Sequence, residues 1–166
     1  PKRMFAIAAS LKEGMSVEKI HDITGVDPWF LHRVKNIVDH EKELVGKYCN
    51  TPLLPEFLLE LKQIGFSDKR IGEFVGKTGL EIRALRKKLG IMPSVFQIDT
   101  LSAEFPAKTN YLYMTYNGHH DDVKPLKHDG VIVLGSGPYR IGSSVEFDWT
   151  SVSTVEALKK YKKQSI

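Results

Sequence analysis

The segment Gly14–Val38 comes back at Gly65–Leu89, and no other feature of the chain limits its fold as much. Laid one over the other, the two segments match Gly14 with Gly65, Ser16 with Ser67, Ile20 with Ile71 and Gly25 with Gly76. Apolar positions follow: Met15 meets Phe66, Ile23 meets Phe74, Trp29 meets Leu80, Leu31 meets Ile82 and Val34 meets Leu85. An apolar seam at helical spacing, broken by glycine at one shared point, reads as a short helix, a turn and a longer helix in each copy. The helix ends carry matching signals. Ser16 and Ser67 can N-cap the short helices, and Asp27 precedes Pro28 at a first helical position, where the missing N–H costs nothing. Thr78-Gly-Leu-Glu81 has capping-box spacing, and Gly90 with Pro93 just beyond marks a stop. Upstream, Met4, Phe5, Ile7, Ala8 and Leu11 recur with helical period, and Pro55–Ile64 is a further short amphipathic helix. Residues 1–94 are therefore expected to be a small helical domain of two helix-turn-helix-like repeats.

After Pro93 the pattern changes. Val95–Asp99 reads as extended, Thr100–Phe105 as a turn of helix, and Tyr111–Tyr116 alternates in the period-2 manner of a strand. Asn117–Asp129 is a polar loop, which makes 95–129 an extended arm and linker. The apolar run Val131–Leu134 is followed by Gly135, Gly137, Pro138 and Gly142, and Ser143 with Glu146 has capping-box spacing, so 130–166 reads as a βα unit. Its glycines miss the dinucleotide fingerprint, because Arg140 stands where the third glycine belongs. The expected fold class is mainly α: a helical domain, an extended arm and one βα unit of an incomplete α/β domain. The closing KKYKKQSI stops where a second strand is due, so the reading is of a piece of a longer polypeptide.

Charge and chemistry narrow the function. A net charge of +4 leaves an anionic partner open. A helix-turn-helix whose second helix bears Arg83, Arg86, Lys87 and Lys88 is the pattern of a DNA reader. We favour a solvated face, because Glu81 occupies the helix start, where base-reading tips belong. Cys49 is the only cysteine, which excludes an internal disulfide. No apolar run approaches the ~18 residues of a membrane span. His119–Asp122 reads as a solvated charge run, since adjacent loop residues rarely converge on one ion. Trp29, aligned with Leu80, is assigned to the core; Phe30, aligned with Glu81, is the candidate subunit or interdomain contact. The turn around Gly135, Gly137 and Arg140 has two readings, an anion cradle of backbone N–H groups or a tight strand-to-helix turn alone, and Arg140 with Glu146 could face each other or a polar channel. Spacing identifies no catalytic residue.

Taken whole, GVIVLGSGPYRIGSSVEFDW resembles the opening strand and turn of the second synthetase half of the carbamoyl-phosphate synthetase large chain. VDPWFLHRVKNIV, GFSDKRIGEFVGKT, IRALRKKLGI and VFQIDTLSAEFPAKTNYLYMTYNG are similar to that family's helical oligomerization domain, in the same order. GSGPYRIGSSVEFDW looks closer to animal and fungal multifunctional forms than to the bacterial subunit. The resemblance implies a parent that makes carbamoyl phosphate from bicarbonate, glutamine or ammonia, and two ATP with Mg, for pyrimidine or arginine/urea synthesis. The ATP-grasp and glutaminase domains of such a parent are not in this segment, which is then expected to be inactive alone and to bind no cofactor. The implied role is architectural, with the remaining synthetase domains as partners, a homo-oligomer, no membrane and no nucleic acid, and a cytoplasmic location with a mitochondrial one as the alternative. By the same resemblance Ser144 and Glu146 line the carbamate tunnel. Ser144 falls at a family glycine and narrows that wall by a hydroxymethyl group.

Overall fold

The computed structural model describes residues 2–106, 111–124, 130–135 and 146–166. Contacts divide the chain into one unit ending at Asp121 and a second running Asp122–Ile166. The first unit begins with helices α1 (Arg3–Lys12), α2 (Val17–Thr24), α3 (Pro28–Tyr48), α4 (Pro55–Gln63), α5 (Asp68–Val75) and α6 (Gly79–Lys88).

The repeat holds in three dimensions and reaches further upstream than the sequence match. Helices α1 and α4 end in the same closure. Gly14 N–H donates to the Leu11 carbonyl at 3.2 Å and Met15 N–H to that of Ser10 at 2.9 Å; Gly65 and Phe66 do the same to Lys62 and Leu61 at 3.2 and 2.9 Å. This closure needs a left-handed residue after the helix, and Gly14 (φ 93°) and Gly65 (φ 100°) supply it. Ser16 then accepts from Lys19 N–H at 3.2 Å, and Ser67 from Arg70 N–H at 3.1 Å. Asp27 accepts from Trp29 N–H at 2.8 Å with Pro28 opening α3. The Thr78–Glu81 box forms in both directions, at 2.7 and 3.2 Å.

The copies differ in the length of the third helix: α3 has 21 residues and α6 has 10. The extra turns carry α3 from one core to the other. Leu31 and Val38 pack with Ile7, Leu11, Val17 and Ile20; Leu44 and Tyr48 pack with Phe57, Leu58, Leu61, Ile71 and Ile82. They differ also at one crossing. In the first copy His21 Nδ1 lies 2.8 Å from the Val26 carbonyl oxygen. In the second, Gly72 stands at the His21 place, and a Cβ there would sit 2.4 Å from the Lys77 carbonyl oxygen.

The assignment of Trp29 to the core is wrong. Trp29 is 58% exposed and its counterpart Leu80 77%, whereas Leu31 and Ile82, two residues on, are fully buried. Two residues turn a helix by roughly 200°, so the first of each pair must face out when the second faces in. The aligned apolar pair reported a shared environment, and that environment is solvent.

Strands β1 (Ser94–Gln97) and β2 (Leu112–Thr115) form an antiparallel hairpin with Phe96 opposite Tyr113, their rings 5.7 Å apart. Thr100–Phe105 is not a turn of helix. The Asp99 carboxylate accepts from the Leu101 and Ala103 N–H groups, and Ser102 and Ala103 have φ of 51° and 61°, so the side chain takes donors that a helix would use. Asp121 accepts from Val95 N–H at 2.7 Å on the outer edge of β1.

In the second unit β3 (Gly130–Val131) pairs in parallel with β4 (Gln164–Ser165), with α7 (Glu146–Lys160) between them in the chain. Val133 N–H donates to the Ile166 carbonyl at 2.8 Å, and Ile166 N–H to that of Val131 at 3.0 Å. The expectation that the chain stops before a second strand is therefore corrected. Lys162 turns the backbone at φ 55° after α7, and the polar composition of the last residues concealed a strand made by backbone pairing. The Ser143 half of the expected cap lies outside the described residues.

Replacing Gly72 with Ala should push α5 off the Lys77 backbone and cost about 1–3 kcal/mol. Urea unfolding of the two proteins checks this: an unchanged midpoint would mean that the loop moves away freely.

Candidate functional site

The cap at Asp27 fixes how α3 starts, and so sets Trp29 and Phe30 on the outside. Phe30 is 57% exposed. The two rings meet edge to face, centroids 5.0 Å apart at 86°, and the Arg33 guanidinium lies 4.9 Å over Trp29. Ile37, two turns further along α3 from Phe30, is also exposed. The contact candidate Phe30 thus stands as half of an aromatic pair, backed by a cation, on a helix rooted in two cores. Rigid aromatic groups with one arginine are the side chains that most often anchor protein interfaces.

The residues proposed around the glycine turn are placed only in part. Gly135 is described. Next to it the Ser151 hydroxyl of α7 donates to the Leu134 carbonyl at 3.4 Å, tying the strand end to the helix. Gly137, Arg140 and Ser144 lie outside the described residues, and of Glu146 only the backbone is described, as the first residue of α7.

A charged cluster escaped the sequence reading. Asp68, the first residue of α5, receives Lys62 Nζ at 2.8 Å from the end of α4 and Arg86 Nε at 2.9 Å from α6. Lys62 also donates to the Phe66 carbonyl at 2.7 Å and Arg86 to the Ile91 carbonyl at 3.3 Å. Both cations are buried. Burial, the largest influence on the Asp68 carboxyl, pushes its pKa up. Hydrogen bonds from Lys62 and Arg86, with their charges, outweigh it and hold the group below its ordinary 3.8. Arg86 therefore leaves the basic face of α6, where Arg83, Lys87 and Lys88 stay exposed, and Glu81 is locked in the helix cap. One signal could have exposed the cluster: continued upstream, the repeat sets Lys62 and Asp68 against Leu11 and Val17.

A hollow of about 400 Å³ lies beside Cys49, lined also by Asn50, Thr51, Val75, Lys77 and Leu85. Among the described residues no three His, Cys, Asp or Glu side chains converge as metal ligands, and no helix is long and apolar enough to cross a membrane.

Residues 1–90 match the family described as carbamoyl-phosphate synthetase large chain, oligomerisation domain, and residues 127–166 match the carbamoyl phosphate synthase preATP-grasp domain. The chain is 46% identical to the multifunctional protein CAD of Squalus acanthias over 96% of its own length and 7% of that protein. It is 46% identical to carbamoyl-phosphate synthase (ammonia), mitochondrial, of Rattus norvegicus over 99% of its length and 11% of that protein. It is 48% identical to the multifunctional protein pyrABCN of Emericella nidulans over 96% of its length and 7% of that protein. The chain thus spans a small fraction of the relatives it matches, and those relatives include both multifunctional proteins and one named mitochondrial.

The lowered Asp68 pKa has a sign. A carboxyl whose folded-state pKa lies below its unfolded value adds stability that is complete above the unfolded value and is lost as pH falls through the folded one. Urea unfolding between pH 7 and 3 should show stability declining below about pH 4. Asp68→Asn should cost roughly 2–4 kcal/mol at neutral pH by leaving two buried cations unpaired, and should flatten that acid decline. An Asn variant with the same acid dependence would remove Asp68 as its source.

Proposed function

The chain belongs to the carbamoyl-phosphate synthetase large-chain family, and from that premise we propose that it is an oligomerisation and interdomain segment rather than a catalytic one. The parent reaction in this reading is the formation of carbamoyl phosphate from bicarbonate, a glutamine or ammonia nitrogen and two ATP with Mg. The segment supplies its architecture: a helical domain over 1–94, an arm over 95–129, and the first strand and helix of the second synthetase half from 130 on. Support comes from the family match over 1–90 and from the separate match over 127–166. The carbamate path is proposed to run along the turn that follows β3, past Ser144 and Glu146, on the strength of the motif alone. Gly135, Gly137 and Arg140 belong to the same turn.

The observation that carries the oligomer reading is the Trp29–Phe30 pair, exposed on a helix that packs into two cores. A two-fold contact would bring the pair of one copy against the same surface of another. Light scattering over a concentration series should find dimers or larger species whose population rises with concentration. Phe30→Ala should raise the dissociation constant by about tenfold or more. A strict monomer at every concentration, or association indifferent to Phe30, would count against this segment as the oligomer contact.

A further inference from the structure

The first repeat is a control for the second. Where Leu11 and Val17 are buried as apolar fillers, 5% and 4% exposed, the second repeat holds Lys62 and Asp68 on an equivalent backbone. Where Lys35 pairs with Asp39 on the surface of α3, the second repeat turns Arg86 inward to the same carboxylate. A buried ion pair is seldom worth more than apolar residues of similar size. The helices do not need this charge to pack, since the first copy packs without it.

The second copy carries part of the hairpin on top of it. Tyr116, the residue after β2, sets its ring 5.1 Å from Lys62 Nζ and 5.7 Å from Arg86 Cζ. Gln63 Nε2 donates to its carbonyl at 3.4 Å. Arg86 also holds the approach to β1, through the Ile91 carbonyl and the Met92 sulfur at 3.8 Å. Arg86 thus reaches toward both legs of the hairpin, and Lys62 toward the β2 leg. Beside these contacts the hairpin stands off: a gap of about 340 Å³ lies among Lys62, Gln63, Phe66, Met114 and Tyr116, and Leu112, Tyr113 and Met114 are exposed. Two strands alone are marginal in water.

We propose that Tyr116, Lys62, Arg86 and Asp68 form a clasp that seats the β1–β2 hairpin on the second repeat, so that the hairpin releases as a unit while the helices stay folded. Asp68 has a specific part in it. Without its carboxylate the two cations would repel each other and could not present one positive face to the tyrosine ring. Lys62 from α4 and Arg86 from α6 pair with Asp68, and the Tyr116 ring of the hairpin lies against those two cations. The ring attracts through its π face, so an aliphatic residue of comparable bulk should fail where phenylalanine succeeds.

Hydrogen–deuterium exchange on the full chain tests the clasp. Tyr116→Leu should speed exchange of the amides of 94–97 and 112–115 by about tenfold, with α1–α3 unchanged. Tyr116→Phe should exchange like the unaltered protein. Unchanged hairpin protection in the Leu variant would overturn the proposal. So would equal acceleration in the helices, or a Phe variant as damaged as the Leu one.

Discussion

Helix α3 is buried at its two ends in two different cores, and the first unit depends on its remaining one unbroken rod. Leu31 and Val38 belong to the first repeat, Leu44 and Tyr48 to the second. Between them sits Glu41, which receives Lys12 from α1 and, at 3.4 Å, Arg70 from α5. One carboxylate in the middle of the rod is thus shared by a cation from each repeat. At about 1.5 Å per residue the helix is roughly 30 Å long, and the repeats hang from it in fixed register. The aromatic pair at its start is held in place by the same rod.

What was legible in the sequence was what is decided within a few residues. Ser16, Ser67, Asp27 and the Thr78–Glu81 box cap helices because their side chains reach an N–H two or three positions away, and no distant residue can overrule them cheaply. The hairpin strands were legible by alternation. The helix expected over 100–105 was a local contest that Asp99 decided the other way. β4 was hidden because parallel pairing is settled by a partner more than thirty residues away, whatever the intervening composition.

The candidate site was legible unevenly. The exposure of Phe30 was legible because its repeat counterpart is charged; that of Trp29 was missed because its counterpart is apolar. Summing the charge on α6 made it look like a cationic face, yet Arg86 spends its charge on Asp68 inside the fold. Charge counted along a helix does not say which residues keep it at the surface. The turn residues gained less from the structure, since Gly137, Arg140 and Ser144 fall outside what it describes.

The helix closures at Gly14 and Gly65 bring residues together that are at most five apart, whereas β3 and β4 meet only across the whole of α7. Loop-closure entropy makes local contacts cheap to form early and distant ones expensive. The helix closures and the parallel pair therefore differ in the span of chain that each must bring together. The helical repeats can collapse from their own turns on the fast side of the folding spectrum, and the parallel pair must wait for its connecting helix to bring the strands side by side.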